Sequence, residues 1–125
     1  MVTPVARMKR RSDGIIYVEI TPGIEQTPEK ARENLEAAIK LAGGQKLSVL
    51  LDLRGALPLT SDTRKVYASE EISDAFAALA ILTHLDPISR MMGNFYLKFA
   101  NLAIPTRLFT EAVKALEWLH NRQST

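Results

Sequence analysis

Leu47-Ser48-Val49-Leu50-Leu51-Asp52-Leu53 is the stretch on which the fold turns. Its apolar residues do not alternate with polar ones, and a strand written that way has both faces buried, as at the centre of a parallel sheet. Just upstream, Thr27-Pro28-Glu29 has the form of a helix start. A hydroxyl stands at the cap, proline takes the first helical position where its missing N–H costs nothing, and an acid faces the positive dipole end. Ala31, Leu35, Ala38, Ile39 and Ala42 then recur at spacings of three and four, with Arg32, Glu33, Glu36 and Lys40 on the opposite side. This helix lays one apolar stripe on a sheet and stops at Gly43-Gly44.

Working outward, Pro4 to Arg10 leads through Ser12-Asp13-Gly14 into Ile15-Ile16-Tyr17-Val18-Glu19-Ile20. A β-branched run behind an Asp-Gly dipeptide predicts an N-terminal hairpin, because glycine supplies the positive φ of the tight turn. Its first arm carries Pro4, Lys9, Arg10 and Arg11, which protect a sheet edge from foreign strands. Downstream, Thr60-Ser61-Asp62 offers three oxygen-bearing side chains to cap a second helix. Phe76 to Leu82 reads as another apolar strand. Asp86-Pro87 opens a third helix with Ile88, Met91, Met92, Phe95, Tyr96 and Phe99 on a broad apolar face. Ile104 to Phe109 reads as the last strand. Thr110 caps a final helix whose Val113, Leu116 and Leu119 are expected to face inward, with Ala112 beside them.

The order predicts an α/β fold: an N-terminal hairpin, then helices alternating with largely parallel strands, about five strands and four helices in all. Strands joined through helices pair in parallel by right-handed crossovers. With 125 residues, 46% hydrophobic and 24% charged, the chain reads as a single domain over residues 1–125. The net charge of +2 arises from 16 basic and 14 acidic residues, and the only dense basic run is Arg7 to Arg11. Nucleic-acid binding needs charge gathered over a whole face, so no nucleic-acid partner is expected. There is no cysteine, which removes disulfides and thiolate chemistry. No stretch approaches the ~20 apolar residues of a membrane span, and no secretory signal pattern stands at Met1 to Arg11. A cytoplasmic location follows as the expectation.

The chemistry-bearing residues are sparse. His84 and His120 are the only histidines, and no pair of metal-ligating residues has helix-face spacing, so neither a metal nor another cofactor is expected. His84, Asp86 and Ser89 lie close in sequence, whereas triads draw on separate elements. Asp86 and Ser89 read as a cap and a first-turn residue, and no enzyme is expected. The arginines are more informative. Arg54 follows a strand, Arg64 lies in the first turns of the next helix and Arg90 opens the third, so a parallel sheet would gather them on one edge as an anion pocket. The alternative is dispersed salt bridging with Asp52, Asp62, Glu70 and Glu71.

Leu51-Asp52-Leu53-Arg54-Gly55 followed by Thr60-Ser61-Asp62 resembles the SpoIIAA-like or STAS domain, the fold of anti-sigma-factor antagonists. Ser89-Arg90, Gly93-Asn94-Phe95 and Pro105-Thr106-Arg107-Leu108-Phe109 are similar to stretches of an uncharacterised bacterial STAS-like branch. The resemblance extends over essentially the whole chain in element order and implies a SpoIIAA-like βα superhelix. In such antagonists the loop before the second helix reads Asp-Ser-Ser-Gly and its serine is phosphorylated by a partner kinase. Here Thr60, Ser61, Asp62 and Thr63 stand at those four positions. Asp62 occupies the phosphoacceptor's place, where it either mimics a permanent negative charge or, as the favoured reading, caps the helix, and the glycine is missing. A phosphate on Ser61 or Thr60 would sit at a helix N-terminus.

Two functions follow as expectations. One is a non-enzymatic regulatory module that meets a protein partner through Arg54, Thr60, Ser61, Asp62 and Arg64. The other is a binder of a small apolar or anionic, lipid-like ligand, held by Arg90, Met91, Asn94, Phe95 and Phe99 beneath the third helix. Helices that cover one sheet face would leave the other bare, which favours a homodimer.

Overall fold

The computed structural model describes residues 1–67, 69–84 and 104–123. In chain order these form β1 (Ala6–Arg10), β2 (Ile16–Ile20), α1 (Pro28–Ala42), β3 (Leu47–Asp52), α2 (Ser61–Tyr67), α3 (Glu70–Ala75), β4 (Phe76–Leu82), β5 (Thr106–Phe109) and α4 (Ala112–Gln123). One sheet runs in the order β1-β2-β3-β4-β5. The first pair is antiparallel and the remaining pairs are parallel. The α/β class and the five strands expected from the sequence are therefore present, with β3 at the centre. The expected third helix lies outside the described residues.

Local sequence accounts for the elements. In the hairpin Arg10 faces Ile16, and Gly14 closes the turn at φ 84° by donating its N–H to the Arg11 carbonyl (3.0 Å). Asp13 Oδ1 accepts from the Ile15 N–H (3.1 Å), and Oδ2 accepts from Arg11 Nε (3.2 Å) and lies 2.8 Å from His120 Nε2 of α4. Burial pushes the Asp13 carboxyl up, but His120, the Ile15 N–H and Arg11 outweigh it and hold the pKa at about 2. The hairpin tip is thus tied to the last turns of α4. At the outer edge of β1, Val2 bridges Arg7 and the Met8 N–H reaches the Met1 carbonyl at 2.8 Å, so the N-terminal residues pair with that edge. Thr27 caps α1 by accepting from the Lys30 N–H (3.2 Å), and Gly43 ends it in the left-handed region at φ 59°.

The sheet separates two apolar clusters. On one face Met8, Ile16, Val18, Val49, Phe76 and Ile81 pack with Leu35, Ala38 and Ala42 of α1. On the other, Ile15, Leu50, Ala78, Ala80 and Leu82 pack with Ala115 and Leu119 of α4. Ile15, Leu50, Leu82 and Leu119 are fully buried, each worth about 1.5–3 kcal/mol in transfer free energy. A register shift between β3 and β4 falls between Leu47 and Val49, whose partners are Phe76 and Leu79, one residue more on β4 than on β3.

Two expectations change here. Val113 does not face inward: it is 68% exposed, and the inward position belongs to Ala115, with Leu119 one turn on. A small alanine lets the helix sit close to the small residues Ala78 and Ala80 of β4, and this closeness outweighs the gain from burying valine. Because α4 occupies that face, the argument for a homodimer from a bare apolar face has no premise over β3 to β5. Among the described residues no helix is long and apolar enough to cross a membrane.

The orientation of α4 sets a simple expectation. Ala115→Leu forces α4 off the sheet and lowers stability by about 1–3 kcal/mol, whereas Val113→Lys stays within about 0.5 kcal/mol, read from urea melts of the two variants.

Candidate functional site

The segment from Asp52 to Arg64 leaves the carboxyl end of the central strand and enters α2. Asp52 and Arg54 are two residues apart, so the strand end sends their side chains to the same side. Asp52 is 3% exposed, and its carboxylate is fully engaged. Oδ1 accepts from the Arg54 backbone N–H and from Arg54 Nε, both at 3.0 Å. Oδ2 accepts from Arg54 Nη2 at 2.8 Å and from the Tyr17 hydroxyl at 3.0 Å. Four donors fill the acceptor capacity of one carboxylate. Burial pushes the Asp52 pKa up, but Arg54 and Tyr17 outweigh it and hold the group below the usual carboxylate range. Burial, and the neighbouring Asp52 charge, push the Tyr17 phenol up. The cluster is a closed, ionised knot that anchors the loop, with no lone pair left for a proton transfer.

Beyond it the loop is clamped. The Leu53 N–H reaches the Leu82 carbonyl (2.9 Å), and Ala56 turns back on the Leu53 carbonyl (3.0 Å). Gly55 sits at φ 87°, and a Cβ there would lie 3.2 Å from the Pro22 ring. Only glycine meets both conditions. Thr60 caps α2: its Oγ1 accepts from the Thr63 N–H (3.3 Å) and donates to Thr63 Oγ1 (3.0 Å), which donates to the Gln26 carbonyl (3.1 Å). Ser61 and Asp62 face solvent, and Leu57 is 37% exposed beside them. Among the described residues Asp62 makes no cap hydrogen bond. It stands in the first turn of α2 with Lys65 Nζ 3.8 Å away, so the capping role expected of Asp62 belongs to Thr60.

The sequence-derived residues thus divide. Thr60, Ser61 and Asp62 are gathered on one exposed edge, and Arg64 is half-buried in α2. Arg54 is spent on Asp52, as in the salt-bridging alternative, and Glu71 pairs with Arg32 (2.8 Å). Arg90, Met91, Asn94, Phe95 and Phe99 lie outside the described residues, as do Asp86 and Ser89. Among the described residues no group of His, Cys, Asp and Glu is placed to hold a metal ion.

Sequence reasoning missed a polar chain under α1. Thr3 Oγ1 donates to Asn34 Oδ1 (2.9 Å), Asn34 Nδ2 donates to the Tyr67 hydroxyl (3.4 Å), and Tyr67 donates to Gln26 Oε1. Burial pushes the Tyr67 phenol far above its ordinary value. The available signal was Asn34 itself, a polar residue in phase with Ala31, Leu35 and Ala38 on the buried stripe.

The Asp52–Arg54 pair carries a pH signature. Arg54→Ala costs about 1–2 kcal/mol near pH 7, the worth of charge-assisted hydrogen bonds at a partly exposed guanidinium. A carboxyl whose pKa is depressed on folding contributes stability above its unfolded value of about 4, and that contribution disappears as pH falls through the folded value. The difference between parent and variant therefore shrinks in urea melts near pH 3, and an equal loss at both pH values would show that Arg54 does not hold the charge on Asp52.

A comparison with curated proteins finds no match. Residues 8–123 match the profile of a family described as a domain of unknown function (DUF7793), and since this is nearly the whole chain, the protein belongs to that family.

Proposed function

We propose that the protein is a cytoplasmic, non-enzymatic interaction module of STAS-like type that meets a partner protein through the Arg54 to Arg64 segment. The observation that carries this reading is the combination of a fixed backbone and exposed side chains. Gly55 against Pro22 and Asp52 against Arg54 hold the loop in place, while Leu57, Thr60, Ser61 and Asp62 stand in solvent. A loop already ordered before binding gives up little entropy when a partner arrives. The resemblance of Leu51 to Gly55 and Thr60 to Asp62 to the antagonist loop, and the single direction in which the strand order advances, support the same reading. With Asp62 at the phosphoacceptor's place, its fixed negative charge takes part in recognition without a kinase.

A photoreactive amino acid at Leu57 tests this in native cytosol, with the same group at exposed Glu33 of α1 as control. The expected result is a discrete adduct from Leu57 only, competed away by unlabelled protein and reduced several-fold by Asp62→Lys. Identical adducts from both positions, or none from Leu57, would overturn the proposal.

One observation favours the ligand-binding reading. A cavity of ≈ 80 Å³ lies between α1 and the sheet, walled by Met8, Leu35, Val49, Leu51, Ile72 and Phe76, with Asn34 and Tyr67 among its lining residues. It is smaller than the ~150 Å³ cavity known to admit benzene, so it would take only the tip of an alkyl chain. It sits beneath α1, not at the Arg90 to Phe99 segment where the sequence reading placed a pocket. Val49→Ile adds one methylene beside this gap. If the space is merely unfilled, stability in a urea melt rises by about 0.8 kcal/mol, and a fall would show that the walls do not yield to it.

A further inference from the structure

At the opposite end of the sheet, where β3 and β4 begin, the structure holds a cleft of ≈ 590 Å³. That is within the ~300–1,000 Å³ of small-molecule sites. Lys46 and Ser48 come from the start of β3, Ala78 from β4, Pro105 from the residue before β5, and Trp118 and Arg122 from α4. Distant segments converge here, and the lining is of two kinds.

The polar part points to a ligand. Ser48 lines the cleft although the residue is only 2% exposed, and its hydroxyl makes no hydrogen bond among the described residues, so both its donor and its acceptor are available to a ligand. Lys46, exposed at the rim, forms no ion pair among the described residues. A group with negative charge and acceptor oxygens would satisfy both. The Arg122 guanidinium lies 5.1 Å from the Trp118 ring centroid, adding positive charge near the same cleft and fixing the indole plane. These cations oppose the negative dipole end of α4, which would otherwise repel an anion.

The rest is apolar. Trp118 packs on Phe109 with ring centroids 5.7 Å apart, and Ala78 and Pro105 complete a wall that offers a bare phosphate nothing. We propose that this cleft binds a small amphiphilic anion, a carboxylate on an apolar body. The head meets the Lys46 ammonium and the Ser48 hydroxyl, and the body lies on Trp118, Ala78 and Pro105. The site is separate from the loop of Arg54 to Arg64 and does not depend on that segment's role.

Trp118 is the only tryptophan in the chain, so its emission reports the cleft directly. Octanoate is titrated into the intact protein, with octanol and inorganic phosphate in parallel. The expected result is a saturable change with octanoate and at least about tenfold weaker binding of the other two probes, a difference the Lys46 contact can supply. Lys46→Gln should weaken octanoate about tenfold while leaving octanol binding and Tm unchanged, and Ser48→Ala should weaken it less. If Ser48→Ala fails to fold, the surface variant Lys46→Gln decides alone. No saturable change, octanol or phosphate binding as tightly as octanoate, or octanoate binding indifferent to Lys46→Gln would each overturn the proposal.

Discussion

Everything in this molecule depends on burying both faces of β3 and β4. A strand whose side chains are apolar on both sides is stable only when something covers each side. Here α1 covers one face through Leu35, Ala38 and Ala42, and α4 covers the other through Ala115 and Leu119. Neither helix has enough apolar area to be stable alone, so each needs the sheet as much as the sheet needs it. The connection between Asp13 and His120 follows from this arrangement, since α4 crosses the sheet far enough for its last turns to meet the hairpin tip.

Strand order then decides where chemistry has room. The sheet advances from β1 to β5 without reversing, so it lacks the point at which neighbouring connections diverge and leave a crevice at the carboxyl ends of the strands. At that end the structure instead places the saturated Asp52 carboxylate and a clamped loop. The amino ends of the strands differ: α4 leaves a cleft beside Ser48, whose hydroxyl makes no hydrogen bond among the described residues.

Much of this was legible in the sequence, for reasons that can be named. Thr27, Pro28 and Gly43 act through their own backbone neighbourhood, and the structure returns α1 between them. Phe76 to Leu82 is apolar enough to declare itself a strand, and those are its bounds. Where the choice depended on packing distance the sequence misled. In α4 valine carries the stronger hydrophobic signal, yet the alanine faces in, because the opposing strand presents Ala78 and Ala80 and rewards close approach. The loop shows the same limit. Asp52 and Arg54 are spaced to share a side, so their pairing was readable, while the choice of Thr60 over Asp62 as cap depended on which residue the chain delivers to the helix end. The cleft at the strand starts was invisible, since Lys46, Pro105 and Trp118 have no shared period or motif.

The two surfaces lie at opposite ends of β3, and this separation has a consequence for reading variants. Six residues of strand at about 3.3 Å each put roughly 20 Å between the environments of Lys46 and Arg54. At such distances, with no shared partner, perturbations add within a few tenths of a kcal/mol. A change at Lys46 that altered the behaviour of the Arg54 loop would therefore need a rearrangement of β3 itself. From Val49 to Asp52 that strand is held on both edges by parallel pairing, and both of its faces are covered by apolar packing. The loop and the cleft thus lie at opposite ends of one sheet, each answerable to its own chemistry.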